Sequence, residues 1–415
     1  MCIRSEILVV LRIFVLPLCF AFDASAEGYD RPPHETTSSK SENTSDDQGI
    51  RFACKPNQLE VVESDMSDYL ASLGVAPGLV VKKMDRTNGT LVFTLNTPKD
   101  DVDTLSLKDK PELMLQDEVV SLPAKRGKER KVHTVSKKEI LLATLQHGRL
   151  TEFKDGNCNI GALKDHVGIR QNTVAWSERM NLVWPDGGSA RWNMKYWERG
   201  TPKAGFPLHE AINDVFNNQH KYSIGCYAAA KIVMIQGLLD YYRRIKKDPA
   251  LLKIVENRLW ADKEPLVNVE PGIMWDFETD FDPNELERPG KILKIQYGIA
   301  PKNFIPGDWA YLLNTDQISY RKTGYEGSNA IYMGRNKFID LYNDRGHFYT
   351  FQQKIDEVYQ WRNGVFNRSR DSAKIKPLAE QEMERLSTPP SEGGILMDFR
   401  VTPYLFRSNE LSITQ

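Results

Sequence analysis

The residue best placed to do chemistry is Cys226. It closes the segment Tyr222-Ser223-Ile224-Gly225-Cys226, which runs directly into Tyr227-Ala228-Ala229-Ala230-Lys231-Ile232-Val233-Met234. Positions 228, 232, 235, 239 and 242 recur at spacings of four and three, the stripe of a helix laid on a core. The spacing therefore places the cysteine in the first turn of that helix. Unpaired N–H groups and the positive end of the helix dipole favour a thiolate there and lower the thiol pKa. Such a thiolate is a nucleophile for an acyl carbon. The competing reading is a core cysteine, because cysteine is among the most buried residue types.

Downstream elements have to position whatever assists it. Pro306-Gly307-Asp308 is a turn leading into the strand Trp309-Ala310-Tyr311-Leu312-Leu313-Asn314. After a polar loop come Ser328-Asn329-Ala330-Ile331-Tyr332-Met333, the turn Gly334-Arg335-Asn336, and Lys337-Phe338-Ile339-Asp340-Leu341. This reads as a β-meander following the cysteine helix. The fold class is α+β.

Papain-like enzymes place their nucleophile at the start of a helix in this way. The meander resembles the NlpC/P60 branch of that superfamily, in which a PGD strand precedes a histidine-bearing strand. In that register Ser328 takes the histidine position and Asp340 the third polar position. The order of motifs is also similar to the bacterial spore-coat transglutaminases, protein-glutamine γ-glutamyltransferases on an NlpC/P60-like core. The pieces that carry this resemblance are Leu163 to Asn172, Tyr196-Trp197, Ala211-Ile212-Asn213-Asp214, Tyr222 to Ile232, Gly307-Asp308 through Tyr311 and Asn314, and Asn329 to Gly334. They span roughly residues 158 to 365, in the family's order. That family uses a glutamate where NlpC enzymes have histidine, and here Ser328 stands at that position; a second acid before the cysteine is replaced by Gly225. The base must then come from elsewhere. Asp340 on the neighbouring strand and Glu326, two residues before Ser328, are the carboxylate candidates. His347, the only histidine after Cys226, is a rival.

The resemblance implies ping-pong acyl transfer. Cys226 attacks a glutamine side-chain amide, ammonia leaves, and a lysine amine takes the γ-glutamyl group to form an isopeptide bond. The substrates would be proteins with exposed Gln and Lys. Backbone N–H groups at the start of the Cys226 helix would stabilise the oxyanion. Trp197, Trp309 and Tyr325 would line a passage that limits water, or would simply pack in the core. Two other functions fit the same residues: an NlpC/P60-like cell-wall peptidase or amidase, and a non-catalytic relic of the fold acting as a binding or scaffold protein.

The rest of the chain frames this domain. Arg4 precedes an apolar run from Ile7 to Phe22, and Ala24-Ser25-Ala26 offers a small-x-small cleavage site, so residues 1–26 read as a signal peptide for secretion or for the periplasm and cell envelope. No other segment approaches the ~18 apolar residues of a membrane span. Residues 27–50 are polar and Ser/Thr-rich and read as a disordered leader. Residues 51–149 mix strand-like pieces, such as Leu79-Val80-Val81 and Thr90 to Leu95, with the turn Asn88-Gly89 and the basic stretch Lys125 to Lys131. They read as a small N-terminal α+β domain, regulatory if it covers the site. The catalytic domain is assigned to 150–366 and a C-terminal extension to 367–415, with a last strand near 394–399.

Composition excludes some partners. Lys and Arg number 55 against 56 Asp and Glu, for a formal net charge of −1, without the basic excess that phosphate-backbone binding requires. No Cys/His spacing matches a zinc site, and no GxGxxG, GxxxxGK[ST] or HExxH occurs, so no metal or cofactor is expected. Of five cysteines, cleavage would remove Cys2 and Cys19. The remaining three either pair as Cys54–Cys158, leaving Cys226 free, or all stay reduced and buried.

Overall fold

A helix buried on every side carries Cys226, and two sheets account for that burial. The computed structural model describes residues 48–98, 103–261, 294–296, 299–322, 324–343, 347–364 and 371–401. The expected signal peptide 1–26 and nearly all of the leader therefore lie outside the described residues. The described residues fall within the compact unit Asn43–Gln415.

The first sheet draws on strands β1 (Gly49–Ala53), β2 (Val80–Asp85), β3 (Thr90–Leu95) and β6 (Leu150–Lys154); β4 (Glu118–Pro123) and β5 (Glu129–Thr134) form a separate hairpin. Its order is β2-β3-β1-β6, with β1 antiparallel to β3 and parallel to β6. In β3 the alternation is regular: Leu91, Phe93 and Leu95 are buried while Thr90, Val92 and Thr94 are half-exposed. The Asn88-Gly89 turn needs its glycine, since φ is +65° and a Cβ would stand 2.4 Å from the Cys54 carbonyl oxygen. Helix α1 (Leu59–Ser72) packs on this sheet. Helix α2 (Lys137–Thr144) begins where the Ser136 hydroxyl accepts from the Glu139 N–H. Because β6 follows residue 149 and pairs with β1, both sides of that point share one sheet. One apolar core runs from Ile50 to Tyr342.

Helices α3 (Ile160–Ser177), α4 (Leu208–Asn217) and α5 (Cys226–Asp240) form the centre, flanked by the short ribbon β7 (Trp197–Glu198) with β8 (Thr201–Pro202) and by α6 (Pro249–Ala261). The sequence stripe predicts one buried face for α5. Every residue from Tyr227 to Asp240 is buried, because α3, α4 and the second sheet each take a side. Gly237 permits the closest approach: a Cβ there would lie 2.1 Å from Thr173 Oγ1 and 2.8 Å from Thr173 Cα.

The second sheet comprises β9 (Lys294–Gln296), β10 (Trp309–Leu313), β11 (Gly327–Gly334), β12 (Lys337–Ile339), β13 (Phe348–Tyr349) and β14 (Leu396–Val401), in the order β13-β12-β11-β10-β14-β9, antiparallel throughout. The predicted meander is its centre, and the expected last strand is β14. Trp309, Ile331 and Met333 face α5 and the main core. Ala310, Leu312, Ala330 and Tyr332 face a second core closed by α7 (Phe351–Tyr359) and α8 (Glu380–Leu386). This is a mixed α/β architecture.

Two long-range ties hold the halves of the core in register. Cys54 at the end of β1 and Cys158 just before α3 form a disulfide, with Cα atoms 5.6 Å apart. Asp308, the acid of the Pro306-Gly307-Asp308 turn, is clasped by Arg149 at 2.5 and 3.1 Å and by Arg170 at 2.8 Å. It also accepts the Ile305 N–H at 2.9 Å. Burial alone would raise Asp308, but the two guanidiniums outweigh it and hold the carboxyl below its ordinary range. Burial pushes Arg170 down to about 10.

Candidate active site

Cys226 is the first residue of α5, and its N-cap is Gly225, which has no side chain to cap the helix. Among the described residues it is the free cysteine, and it is half-buried. Its S–H donates to the Gly327 carbonyl at 3.7 Å, where β11 begins. The Asn329 side-chain Nδ2 donates to Sγ at 3.3 Å, and the Trp309 indole Nε1 in turn donates to Asn329 Oδ1 at 2.8 Å. Trp309 is buried and lies against the Tyr227 ring with centroids 5.2 Å apart. Gly327 leaves room for Tyr311: a Cβ at Gly327 would meet the Tyr311 hydroxyl at 2.5 Å.

The thiol pKa departs from the sequence expectation. Burial pushes Cys226 up; the Asn329 side chain and backbone pull it down, and the Glu326 and Asp340 carboxylates push it up again. The net direction is upward. Burial is the largest of these influences, and its direction is opposite to the one expected of a helix terminus.

Of the candidate bases, Glu326 sits at the entry to β11, beside the residue whose carbonyl accepts the Cys226 S–H. It directly precedes Gly327, and its Oε2 accepts the Gly324 N–H at 2.8 Å. Its carbonyl accepts the Asn314 N–H at 2.9 Å, and Asn314 Nδ2 donates to Ser319 Oγ and to the Tyr325 carbonyl, so Asn314 ties Ser319, Tyr325 and Glu326 together. Burial raises the Glu326 carboxyl, with the Glu326 and Gly324 backbone amides opposing. A carboxyl raised by burial is a better proton acceptor than an ordinary one.

Ser328 and Asp340 share a face of the sheet, but it is the face turned away from Cys226. Strand residues alternate, so Asn329 facing Cys226 turns Ser328 toward Ala330, Tyr332 and the second core. This corrects the predicted register by one residue: Asn329, not Ser328, meets the thiol. Continuing the β11–β12 pairing from Ile331 opposite Ile339 sets Asp340 opposite Ala330, on the same far face. There its Oδ2 lies 3.4 Å from buried Lys354 Nζ on α7, which also lies 3.5 Å from Glu357. Asp340 acts on Cys226 through space and is engaged by a cation. His347 is turned elsewhere: its ring stacks edgewise on Phe348 at 4.7 Å and hydrogen-bonds the Glu178 backbone, while burial lowers its pKa.

The aromatics also separate. Trp197 is fully buried on Trp192 at 4.8 Å, in the role of core packing. Tyr325 packs between Trp361 at 5.4 Å and Trp184 at 6.2 Å, and Trp184 continues to Tyr342 at 4.9 Å. The Tyr342 hydroxyl donates to the Ile224 carbonyl, two residues before the cysteine. The basic stretch Lys125 to Lys131 forms the β4–β5 tip, where Lys125 and Arg126 border a polar cleft of about 580 Å³ with His209, Asn213 and Arg243. Arg243 follows the C-terminal end of α5, so this cleft is remote from Cys226.

Among the described residues no group of three or more His, Cys, Asp or Glu is placed to hold a metal ion, and no helix is long and apolar enough to cross a membrane.

Asn329 and its Trp309 contact, the side chains that meet the thiol, are what sequence reasoning missed. The signal was present as a polar residue in an apolar strand. A strand buried on both faces gives no parity, however, by which to aim it.

Comparison with known proteins adds a family. The family model described as protein-glutamine gamma-glutamyltransferase matches residues 120–363. Among solved structures the chain is similar to a transglutaminase from Geobacillus stearothermophilus without its C-terminal extension, at 19% identity and a TM-score of 0.33, covering 48% of this chain and 82% of that one. No curated protein matches the chain.

Proposed function

The chain belongs to the protein-glutamine γ-glutamyltransferase family, and from that premise we propose that it is an exported enzyme forming γ-glutamyl-ε-lysine cross-links through a Cys226 thioester. The observation that carries the proposal is the convergence, at the start of α5, of the free thiol, the Asn329 amide and the Glu326 loop.

Glu326 takes the thiol proton as sulfur attacks the γ-carbonyl of a glutamine. The S–C bond forms, and the carbonyl π pair moves to oxygen. When it returns, the C–N bond breaks and the proton held by Glu326 leaves with ammonia. In the second half the lysine ammonium first loses one proton to water; the neutral amine then adds to the thioester carbonyl while Glu326 takes a second proton from nitrogen, and Glu326 passes that proton to the Cys226 sulfur as the C–S bond breaks. The acyl carbon meets the helix terminus, where amide dipoles favour developing negative charge.

The reading of the core as papain-like and of the NlpC/P60 kind rests on the cysteine helix packed against an antiparallel meander. Export is supported by the Cys54–Cys158 disulfide, since such bonds persist in oxidising compartments. The substrates are proteins presenting Gln and Lys.

The test is incorporation of a fluorescent primary amine into casein by the chain from Glu27, beside its Cys226→Ala variant. Signal abolished in the variant supports the proposal. Equal signal in both, or none from either with casein and lysine-rich acceptors, overturns it. Export is checked separately by sequencing the N-terminus of protein recovered outside the cytoplasm.

A further inference from the structure

Asn329 offers two chemically different ends. Its carbonyl oxygen only accepts hydrogen bonds and its NH₂ only donates. The Trp309 indole is a donor only, and it stands 2.8 Å from Asn329 Oδ1. A flipped amide would set NH₂ against that indole N–H, donor against donor, in a fully buried place where an unmet donor is costly. Trp309 therefore decides which end of the amide faces Cys226, and the end that faces it is NH₂, 3.3 Å from Sγ.

Trp309 is itself held. It occupies the middle layer between β10 and α5, with Tyr227, the residue after the nucleophile, against its ring. On the sheet Trp309 pairs with Ile331 and Tyr311 pairs with Asn329, so Trp309 reaches Asn329 along the diagonal between adjacent strands.

An amide donor aimed at sulfur cannot act as a base. It can hold negative charge. When sulfur bonds to the acyl carbon, the charge moves to an oxygen two bonds from that sulfur, within the reach of a donor already in contact with it.

We infer that the Asn329 side-chain amide is a catalytic donor, holding negative charge first on the Cys226 sulfur and then on the oxygen of the bound acyl group, and that Trp309 is the positioning residue that fixes its orientation. The inference deepens the proposed acyl transfer and rests on it. No proton moves to or from Asn329. Its N–H shares the charge while the S–C bond forms and the C–N bond breaks.

The experiment uses the chain from Glu27 with Asn329→Ala, Asn329→Asp and Trp309→Phe. The first readout is the rate of Cys226 alkylation by iodoacetamide against pH, with no glutamine substrate present. All three variants should move the midpoint to higher pH, Asn329→Asp furthest, because a carboxylate of the same size opposes the thiolate. The second readout is kcat and KM for amine incorporation. Asn329→Ala should lose about 100-fold in kcat, the scale of one oxyanion donor, with KM little changed. Trp309→Phe should fall in the same direction, and the double variant should be no worse than Asn329→Ala alone, since the tryptophan acts through the asparagine.

Superimposable alkylation profiles for wild type, Asn329→Ala and the isosteric Asn329→Asp overturn the inference whatever the transferase assay gives. So does an unchanged kcat in Asn329→Ala. A wild type without amine incorporation, whose profile nonetheless shifts as stated, supports the pairing of amide and sulfur and overturns the reading of the function instead.

Discussion

Arg170 of α3 and Asp308 of the turn before β10 form an ion pair at 2.8 Å in which neither side chain is reached by solvent. Residues 138 positions apart are thereby locked, and Arg149 closes the other side of the carboxylate. The arrangement fixes where β10 starts, and with it Trp309, the next residue.

Removing the anion from this clasp leaves two buried guanidiniums facing one another. Asp308→Asn should destabilise the fold by roughly 3 to 5 kcal/mol, the scale of breaking a buried pair from one side. Urea unfolding checks this, and a loss below about 1 kcal/mol would show that the charge is not what holds the turn.

The Cys54–Cys158 bond closes a long loop, its ends 104 residues apart. A loop of that size confers at most about 5 kcal/mol through the unfolded chain. Thermal melting of Cys54→Ser, and of the wild type with and without a reductant, should show the midpoint falling in both cases. Cys226 alkylation is expected to persist in the variant at temperatures where it remains folded.

Glu326 has opposed effects on the two readouts. Its negative charge disfavours the thiolate, so Glu326→Gln should shift Cys226 alkylation to lower pH and speed it at a fixed pH near 8. The same change removes the proposed base and should lower amine incorporation by roughly 100-fold. A variant in which both rates fall would place Glu326 in support of the fold rather than of proton transfer.

Because burial raises the Cys226 thiol, wild-type alkylation should climb through the alkaline range instead of levelling off below neutrality. The sign follows from the thiolate being the reactive form, whose fraction grows as pH rises toward a raised pKa. A plateau already reached by pH 6 would contradict this.

Gly237→Ala sets two effects against each other. Alanine gains about 1 kcal/mol of helix propensity over glycine. Its Cβ, however, would stand 2.8 Å from Thr173 Cα, a backbone atom that cannot rotate away, and overpacking of this kind costs about 1 to 3 kcal/mol. A net loss of stability is expected, measured by denaturant midpoint.

Much of the architecture was legible in local patterns. Alternation marked β3, turn residues bounded β10 and β12, and the four-and-three spacing after Cys226 located α5, because each element's period is set by its own backbone geometry. The cysteine at a helix start followed from the same reading, whereas counting cysteines left the Cys54–Cys158 pair and three reduced cysteines both open, and the structure shows the pair. What the sequence by itself determined was therefore a cysteine at a helix start, the elements that carry it, and a short roster of polar residues near it.

Tertiary structure decided which of those residues reach the sulfur. Gly327 to Gly334 is buried on both faces, so apolar residues at both parities conceal which side faces α5. A slip of one residue exchanges Ser328 for Asn329, and only the pairing of β11 with β10 beneath α5 fixes the choice. The thiol pKa was likewise beyond local reading. A helix terminus is visible in sequence, whereas desolvation depends on every element packed around Cys226, and here burial is the larger effect.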